Sequence, residues 1–225
     1  MKHGFKAFVF DLDGVIVDTA GYHFQSWRTF ASRHGFEIPD SLNARLKGLS
    51  RMEALEEVLA FASEDFREHG DKAAMAREKN DLYLEHLTDL SASEILPGML
   101  RFLEESRNLG IKLAVGSGSK NATSILRQLN ITDRFDAVCD GNDIQRSKPD
   151  PQVFQMACER LGVAPEDTVV FEDAEVGIDA AIEGGMFPVG VGDKDHLPHA
   201  RILINGFADL HAADFLNRLQ EIQNA

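Results

Sequence analysis

The sequence predicts an α/β protein whose core is a doubly wound parallel sheet and which carries an inserted helical domain. Three observations lead there. From about residue 97 onward, short apolar runs suited to buried strands alternate with stretches of helical periodicity. One further apolar run, residues 8–10, stands near the N-terminus and ends at Asp11-Leu12-Asp13-Gly14. Between the two, residues 17–91 read as helices with no strand among them. A helical stretch that interrupts a β-α unit marks an insertion. The expected domains are therefore 1–16 with 92–225, an α/β core, and 17–91, the helical insertion.

The elements follow in order. Phe8, Val9 and Phe10 form the first strand. Ala20, Phe24, Trp27 and Ala31 then recur at steps of four, three and four, a helix face with Asp18 or Thr19 at its N-cap and Gly35 and Pro39 closing the region. Ser50 and Glu53 have the spacing of a capping box, and Leu55, Val58, Leu59 and Ala62 give the next helix its apolar face. A polar, charged segment precedes a helix over 72–87. Residues 89–93 return the chain, and Pro97-Gly98 is a turn. Then come a helix over 99–109 stopped by Gly110, a strand marked by Ile111, Leu113 and Val115, and a helix opened by Gly116-Ser117-Gly118-Ser119-Lys120-Asn121. A strand over 135–139, a helix over 151–161, a strand over 168–171, a helix through Ile182, strands over 186–191 and 201–204, and an amphipathic helix carrying Phe215, Leu216, Leu219 and Ile222 complete the chain. This alternation is the mark of a parallel sheet covered on both faces.

Composition narrows the function classes. Lys and Arg number 23 against 37 Asp and Glu, a net charge of −14 over 225 residues. No overall basic field favours nucleic acid or an anionic membrane as a partner. An anionic substrate would need local cations and a metal. Cys139 and Cys158 have no metal or redox spacing and read as reduced core residues of a cytoplasmic protein. No signal peptide is readable after Met1-Lys2-His3-Gly4, and no stretch approaches the ~20 apolar residues of a membrane span. The expectation is a monomer with a small-molecule partner.

Four strand ends carry polar clusters. In an open parallel sheet, ligands bind outside the carboxyl ends of the strands. Asp11 and Asp13 stand at the first such end, and two acids there can divide a reaction, one as nucleophile or metal ligand, the other as general acid/base. Ser117 follows the second strand, Lys148 lies in the loop before Pro149, and Glu172-Asp173 ends a later strand. Acidic pairs with open positions suit Mg²⁺. Ser117 and Lys148 suit a phosphoryl group, and the Gly116-Ser117-Gly118 backbone stands where its N–H groups can help. Each feature also has a plainer reading: a punctuating turn, a helix cap, a solvated loop lysine, an acidic helix N-terminus. Their joint occurrence in this order favours a site.

That order, Asp11-Leu12-Asp13-Gly14, Ser117, Lys148-Pro149, Glu172-Asp173, resembles the four motifs of the haloacid dehalogenase-like phosphotransferases. The resemblance covers nearly the whole chain, and the insertion is similar to that superfamily's small helical cap. It implies a Rossmann-type core with a cap domain. It also implies Asp11 as the nucleophile that becomes an aspartyl phosphate, and Asp13 as general acid/base with its carbonyl on Mg²⁺. Asp11 and Asp173 become metal ligands, with Glu172 in or beside that shell. Ser117 and Lys148 hold the transferring phosphate. Within the insertion, Asp18-Thr19-Ala20, His23, Trp27, Leu46-Lys47-Gly48-Leu49-Ser50-Arg51 and Lys79-Asn80 resemble the β-phosphoglucomutases, which interconvert β-glucose 1-phosphate and glucose 6-phosphate through a bisphosphate. This implies a distal-phosphate site at Arg51 with Ser119 and Asn121, and places Lys120 among the substrate-binding residues. It implies sugar contacts from Trp27, Lys47, Gly48, Ser50 and Lys79, and a cap-closing role for His23 toward Asp13. By themselves Trp27 reads equally as core packing, and His23 and Lys79 as solvated helix residues. Gly116 and Gly118 stand where alanine is expected in the nearest relatives, and glycine there is read as loosening the loop.

Two other readings stay open. A sugar-phosphate phosphatase would use the same strand-end residues, with water as the acceptor. A non-catalytic phosphoaspartate regulatory module would share the sheet, the acids, a serine and a lysine, but has little use for a lid or for Asp13.

Overall fold

The computed structural model describes residues 4–88 and 90–224. Residues 1–3, and Asp89 at the expected start of the returning linker, lie outside them. Contacts gather into two compact units, Met1–Asp18 with Ser91–Ala225, and Thr19–Leu90.

The first unit holds a six-stranded sheet, all parallel, in the order β3-β2-β1-β4-β5-β6. The strands are β1 (Ala7–Phe10), β2 (Lys112–Gly116), β3 (Ala137–Cys139), β4 (Thr168–Glu172), β5 (Phe187–Val191) and β6 (Ile202–Ile204). β1 is central because both its faces are apolar. Ala7 and Val9 face one layer, with Ala114, Val153, Phe154, Ala157 and Ala180. Phe8 and Phe10 face the other, where Phe10 stacks on Phe171 at 4.8 Å and Phe8 on Phe102 at 5.8 Å, with Phe207 and Phe215 closing the cluster. Burying each ring is worth roughly 2–3 kcal/mol, which pins the first strand in the middle of the sheet. Helices cover both faces: α6 (Met99–Asn108) and α10 (Ala212–Asn224) on the phenylalanine side, α8 (Gln152–Leu161) and α9 (Glu175–Glu183) on the other, with α7 (Ala122–Gln128) after β2. The chain runs from β1 to β2 and β3 on one side, then crosses back to β4 on the other. The strand order therefore reverses at β1, and a crevice opens there beyond the carboxyl ends of β1, β2 and β4.

The chain leaves and re-enters this unit through a paired base. Val17 bridges Ile95 in antiparallel fashion, Leu96 N–H donates to the Ile16 carbonyl at 2.9 Å, and Asp18 N–H donates to the Glu94 carbonyl at 2.9 Å. These bonds keep Val17 and Asp18 with the α/β unit.

The second unit is helical: α1 (Ala20–Arg33), α2 (Leu42–Leu46), α3 (Arg51–Leu59), α4 (Glu64–His69) and α5 (Lys72–Leu87). Phe24, Trp27, Phe30, Leu42, Leu55, Val58 and Leu82 build its core. α3 starts with the expected capping box, Ser50 Oγ accepting from Glu53 N–H and Glu53 Oε2 from Ser50 N–H. α2 and α4 were not expected. α2 is little more than one turn and buries only Leu42, too short to display a period. α4 has no fully buried residue: Phe66 packs half-buried on the core beside His34 and Phe36, and the ends add the rest, Ser63 Oγ accepting from Phe66 N–H, Glu64 and Asp65 at the N-terminus, and Arg67 and His69 at the C-terminus. Among the described residues no helix is long and apolar enough to cross a membrane.

Candidate active site

The register of the sheet brings the first cluster together. Phe10 pairs with Val115 on one side and Phe171 on the other, so Asp11 leaves β1 beside Gly116-Ser117 and Glu172-Asp173. Asp11 N–H donates to the Phe171 carbonyl at 2.9 Å. Lys148 reaches in from its loop, its Nζ 2.6 Å from Asp11 Oδ1 and 3.5 Å from Glu172 Oε2, and 4.5 Å above the Phe154 ring. Asp11, Ser117, Lys148 and Glu172 are all buried. Two glycines make the room. A Cβ on Gly14, whose φ is +82°, would stand 2.2 Å from Asp173 Oδ2, and one on Gly177 would stand 2.0 Å from Glu172 Oε1.

Electrostatics follow from this packing. Burial alone pulls the Lys148 ammonium down in pKa, but the charges of Asp11 and Glu172 and the bond to Asp11 outweigh it and hold Lys148 above its ordinary value. Glu172 is driven well above the usual carboxylate range, first by burial and then by the Asp11 charge, with Lys148 opposing. At 3.5 Å the Lys148–Glu172 contact is an ion pair, too long for a good hydrogen bond. Among the described residues, Glu172 Oε2 is a buried oxygen with no hydrogen-bond partner. Carboxylate oxygens of Asp11, Glu172 and Asp173 lie within 4.8 Å of one another. One ammonium cannot balance three carboxylates, and an orphaned oxygen in an all-oxygen donor set fits a hard divalent cation.

The loop after β2 is built by its own serines. Ser117 N–H donates to the Cys139 carbonyl, Ser117 Oγ accepts from Ser119 N–H at 3.1 Å, and Ser119 Oγ accepts from Asn121 N–H at 3.2 Å. Asn121 is the N-cap of α7, and Lys120 is exposed. Gly116 is no loosening of this loop. A Cβ there would stand 2.7 Å from Phe154 Cδ1 and 3.1 Å from Val9 Cγ1, so glycine is what lets Phe154 lie under Lys148. Gly118 has open space at that position. Asp13 sits half-buried beyond Asp11, bridged to Val17.

The helical unit carries a second cluster. Lys79, in the charged run Arg77-Glu78-Lys79, is not solvated: it is buried, its Nζ 2.8 Å from His23 Nδ1 and over the rings of Trp27 at 5.1 Å and Tyr83 at 4.8 Å. His23 stacks on Tyr83 at 4.0 Å. Its pKa is lowered well below 6.5, by burial first and then by the charges of Lys79 and Arg51. A neutral ring accepting the lysine proton at Nδ1 carries its own proton at Nε2. Trp27 is both core and wall, packed in the apolar cluster and under the ammonium. Arg51 Nη2 donates to Asn80 Oδ1 at 2.7 Å. Lys47 and Gly48 lie exposed between α2 and α3, and the Ser50 hydroxyl is taken up by the capping box.

Sequence reasoning passed over Phe154, Gly177 and Tyr83. Tyr83 follows Lys79 by four residues on one helix face, a spacing that could have singled it out. Phe154 and Gly177 act across the fold and leave no local signal.

These residues and this topology define a class. The chain belongs to the haloacid dehalogenase-like hydrolase family, whose pattern it matches over residues 5–185. Within that family it is 40% identical to a β-phosphoglucomutase of Bacillus subtilis over 206 residues, 91% of each chain. It superposes on a crystal structure of β-phosphoglucomutase from Clostridium difficile with a TM-score of 0.91, at 36% identity, over 98% of this chain and 100% of that one. It is also 30% identical to a phosphorylated carbohydrates phosphatase of Thermotoga maritima, over 96% of this chain and 99% of the relative.

Proposed function

We propose that this chain transfers a phosphoryl group on a sugar phosphate through an aspartyl phosphate at Asp11, and that its reaction interconverts β-glucose 1-phosphate and glucose 6-phosphate. The observation that carries this reading is the buried array of Asp11, Lys148, Glu172 and Asp173 at the switch point of the sheet. The α/β unit is read as the catalytic core and the helical unit as its cap. Asp11, Glu172 and Asp173, with the Asp13 carbonyl, would hold Mg²⁺. When bound, the metal offsets the carboxylate charge and that of the phosphoryl oxygens, so that two anions can meet.

The chain's own groups supply the rest. Lys148 fixes the Asp11 carboxylate and, with Ser117, meets charge on the phosphoryl oxygens. An Asp11 oxygen bonds to phosphorus as the bond to the sugar oxygen breaks, and protonated Asp13 gives its proton to that oxygen. For the mutase, a hydroxyl at the other end of a sugar monophosphate attacks the phosphate on Asp11 and yields its proton to Asp13, giving a bisphosphate and free Asp11. The bisphosphate then returns its other phosphoryl group to Asp11. Two anion sites are needed, and Arg51, Ser119, Lys120 and Asn121 are assigned to the non-reacting phosphate, for which an arginine fork is suited. Trp27, Lys47, Gly48 and Lys79 are assigned to the sugar, and His23 to cap closure. Shielding of the aspartyl phosphate from water is what a cap provides.

Similarity to the mutases at 40% and 36% identity supports the mutase over the phosphatase reading, which the 30% identical relative keeps as second. The test follows glucose 6-phosphate and free phosphate together, starting from β-glucose 1-phosphate, Mg²⁺ and a trace of glucose 1,6-bisphosphate. Glucose 6-phosphate without matching phosphate release is expected. Stoichiometric phosphate release would make the chain a phosphatase.

A further inference from the structure

We propose that the loop after β3, residues 140–143, is a positioning element for the phosphate-binding loop 117–121, acting through the Gly141 backbone and the Asn142 side chain. This rests on the reading of 117–121 as a phosphate loop. Gly141 N–H donates to the Ser119 carbonyl at 3.1 Å, and Asn142 Nδ2 donates to the Lys120 carbonyl at 2.9 Å. Two successive carbonyls of the phosphate loop are thus held from one side. In a trans peptide the N–H points opposite to the C=O. Pinning the Ser119 carbonyl therefore turns the Lys120 N–H to the side away from Gly141. Pinning the Lys120 carbonyl does the same for the Asn121 N–H, which Ser119 Oγ meets at 3.2 Å.

The holding loop is itself fixed by internal bonds and from two helices. Asp140 is buried. Its Oδ1 accepts from the Asn142 backbone at 2.8 Å and side chain at 2.9 Å, and its Oδ2 accepts from Thr123 Oγ1, in the first turn of α7, at 2.6 Å. Asp143 Oδ2 accepts from Asp140 N–H at 2.9 Å, and Arg160 of α8 holds Asp143 Oδ1 at 2.7 Å. Position 141 has no tolerance for a side chain: a Cβ there would stand 2.3 Å from the Gly118 carbonyl oxygen and 3.0 Å from Lys120 N. Nothing in the sequence ties these residues to phosphate, because their contribution is the orientation of a neighbouring backbone.

The test is the affinity of the full chain for inorganic phosphate in the presence of Mg²⁺, measured by titration calorimetry, for the wild type, Asn142→Ala and Gly141→Ala. The Asn142 side chain is exposed, so its loss leaves the fold intact and lowers the melting temperature by a few degrees at most, through the lost bond to Asp140. Losing one hydrogen bond to the loop should weaken phosphate binding about five- to tenfold. Gly141→Ala should weaken it further, since the added methyl displaces the loop. In turnover, Asn142→Ala should raise KM for the sugar phosphate by a similar factor with kcat little changed. Phosphate affinity unchanged in Asn142→Ala overturns the inference and leaves the proposed function standing. A lowered melting temperature with unchanged affinity also overturns it, as a purely structural role would. A wild type that binds no phosphate overturns both readings.

Discussion

Two lysines of this chain are equally buried and differently housed. Lys148 of the α/β unit and Lys79 of the helical unit are 4% and 3% exposed. Lys148 stands between carboxylates, 2.6 Å from Asp11 and 3.5 Å from Glu172. Lys79 meets the lone pair of a neutral histidine at 2.8 Å and lies over two aromatic faces. Formal charge holds the first ammonium in place. A ring nitrogen and the faces of Trp27 and Tyr83 contact the second. Removal of the cation should therefore have unlike consequences: in one place it strands buried anions, in the other it takes a donor from a ring nitrogen and a cation from two aromatic faces.

The largest expected effect lies on the charged side. Asp11→Asn should lower turnover by more than about 10⁴-fold, the scale for loss of a nucleophile, with the fold intact by circular dichroism. Substantial residual activity would remove Asp11 from that role. Next, Lys148→Met should cost about 3–5 kcal/mol of stability in metal-free protein, because Asp11 and Glu172 lose their cation. Chemical denaturation checks it. Lys79→Met, by contrast, should cost less than Lys148→Met, since an unbranched apolar chain fits among the rings of Trp27 and Tyr83. A Lys79→Met loss as large as that of Lys148→Met would end the distinction drawn between the two sites.

The smallest effect sharpens the helical site through pH. The folded protein holds the His23 pKa well below the 6.5 of an ordinary histidine. Below about pH 6.5 the unfolded chain binds this proton and the folded chain does not, so stability falls as pH falls, by up to about 1.4 kcal/mol per unit from this one group. Above that pH the contribution is flat. His23→Gln should remove this part of the slope, read from urea midpoints on either side of pH 6.5. An unchanged slope would mean that His23 protonates normally in the fold.

Much of this was legible in the chain. The strand-end acids and Ser117 could be read because each follows an apolar run, Lys148 only from its place before Pro149 in the order of the clusters, and parallel topology does the gathering. Ser50 and Glu53 announced α3. Lys79 was legible only by resemblance. The run Arg77-Glu78-Lys79 looks solvated, and only the packing of α5 on α1 buries its lysine. The same limit hid Phe154 beneath Lys148 and the Gly177 gap beside Glu172, because each is meaningful only across a distance that the chain does not count. Gly116 was misread as slack when it is clearance.

The paired base where the chain leaves and re-enters the α/β unit has a consequence in polymer terms. With Val17 bridged to Ile95 and Asp18 bonded to Glu94, both ends of the insertion are already joined within the α/β unit. The sheet therefore meets the insertion as one closed loop, whatever that loop contains. Closure entropy grows only logarithmically with length, about 0.6 kcal/mol for each doubling. Insertions of very different size can be carried at this point of the chain with little change in the stability of the sheet.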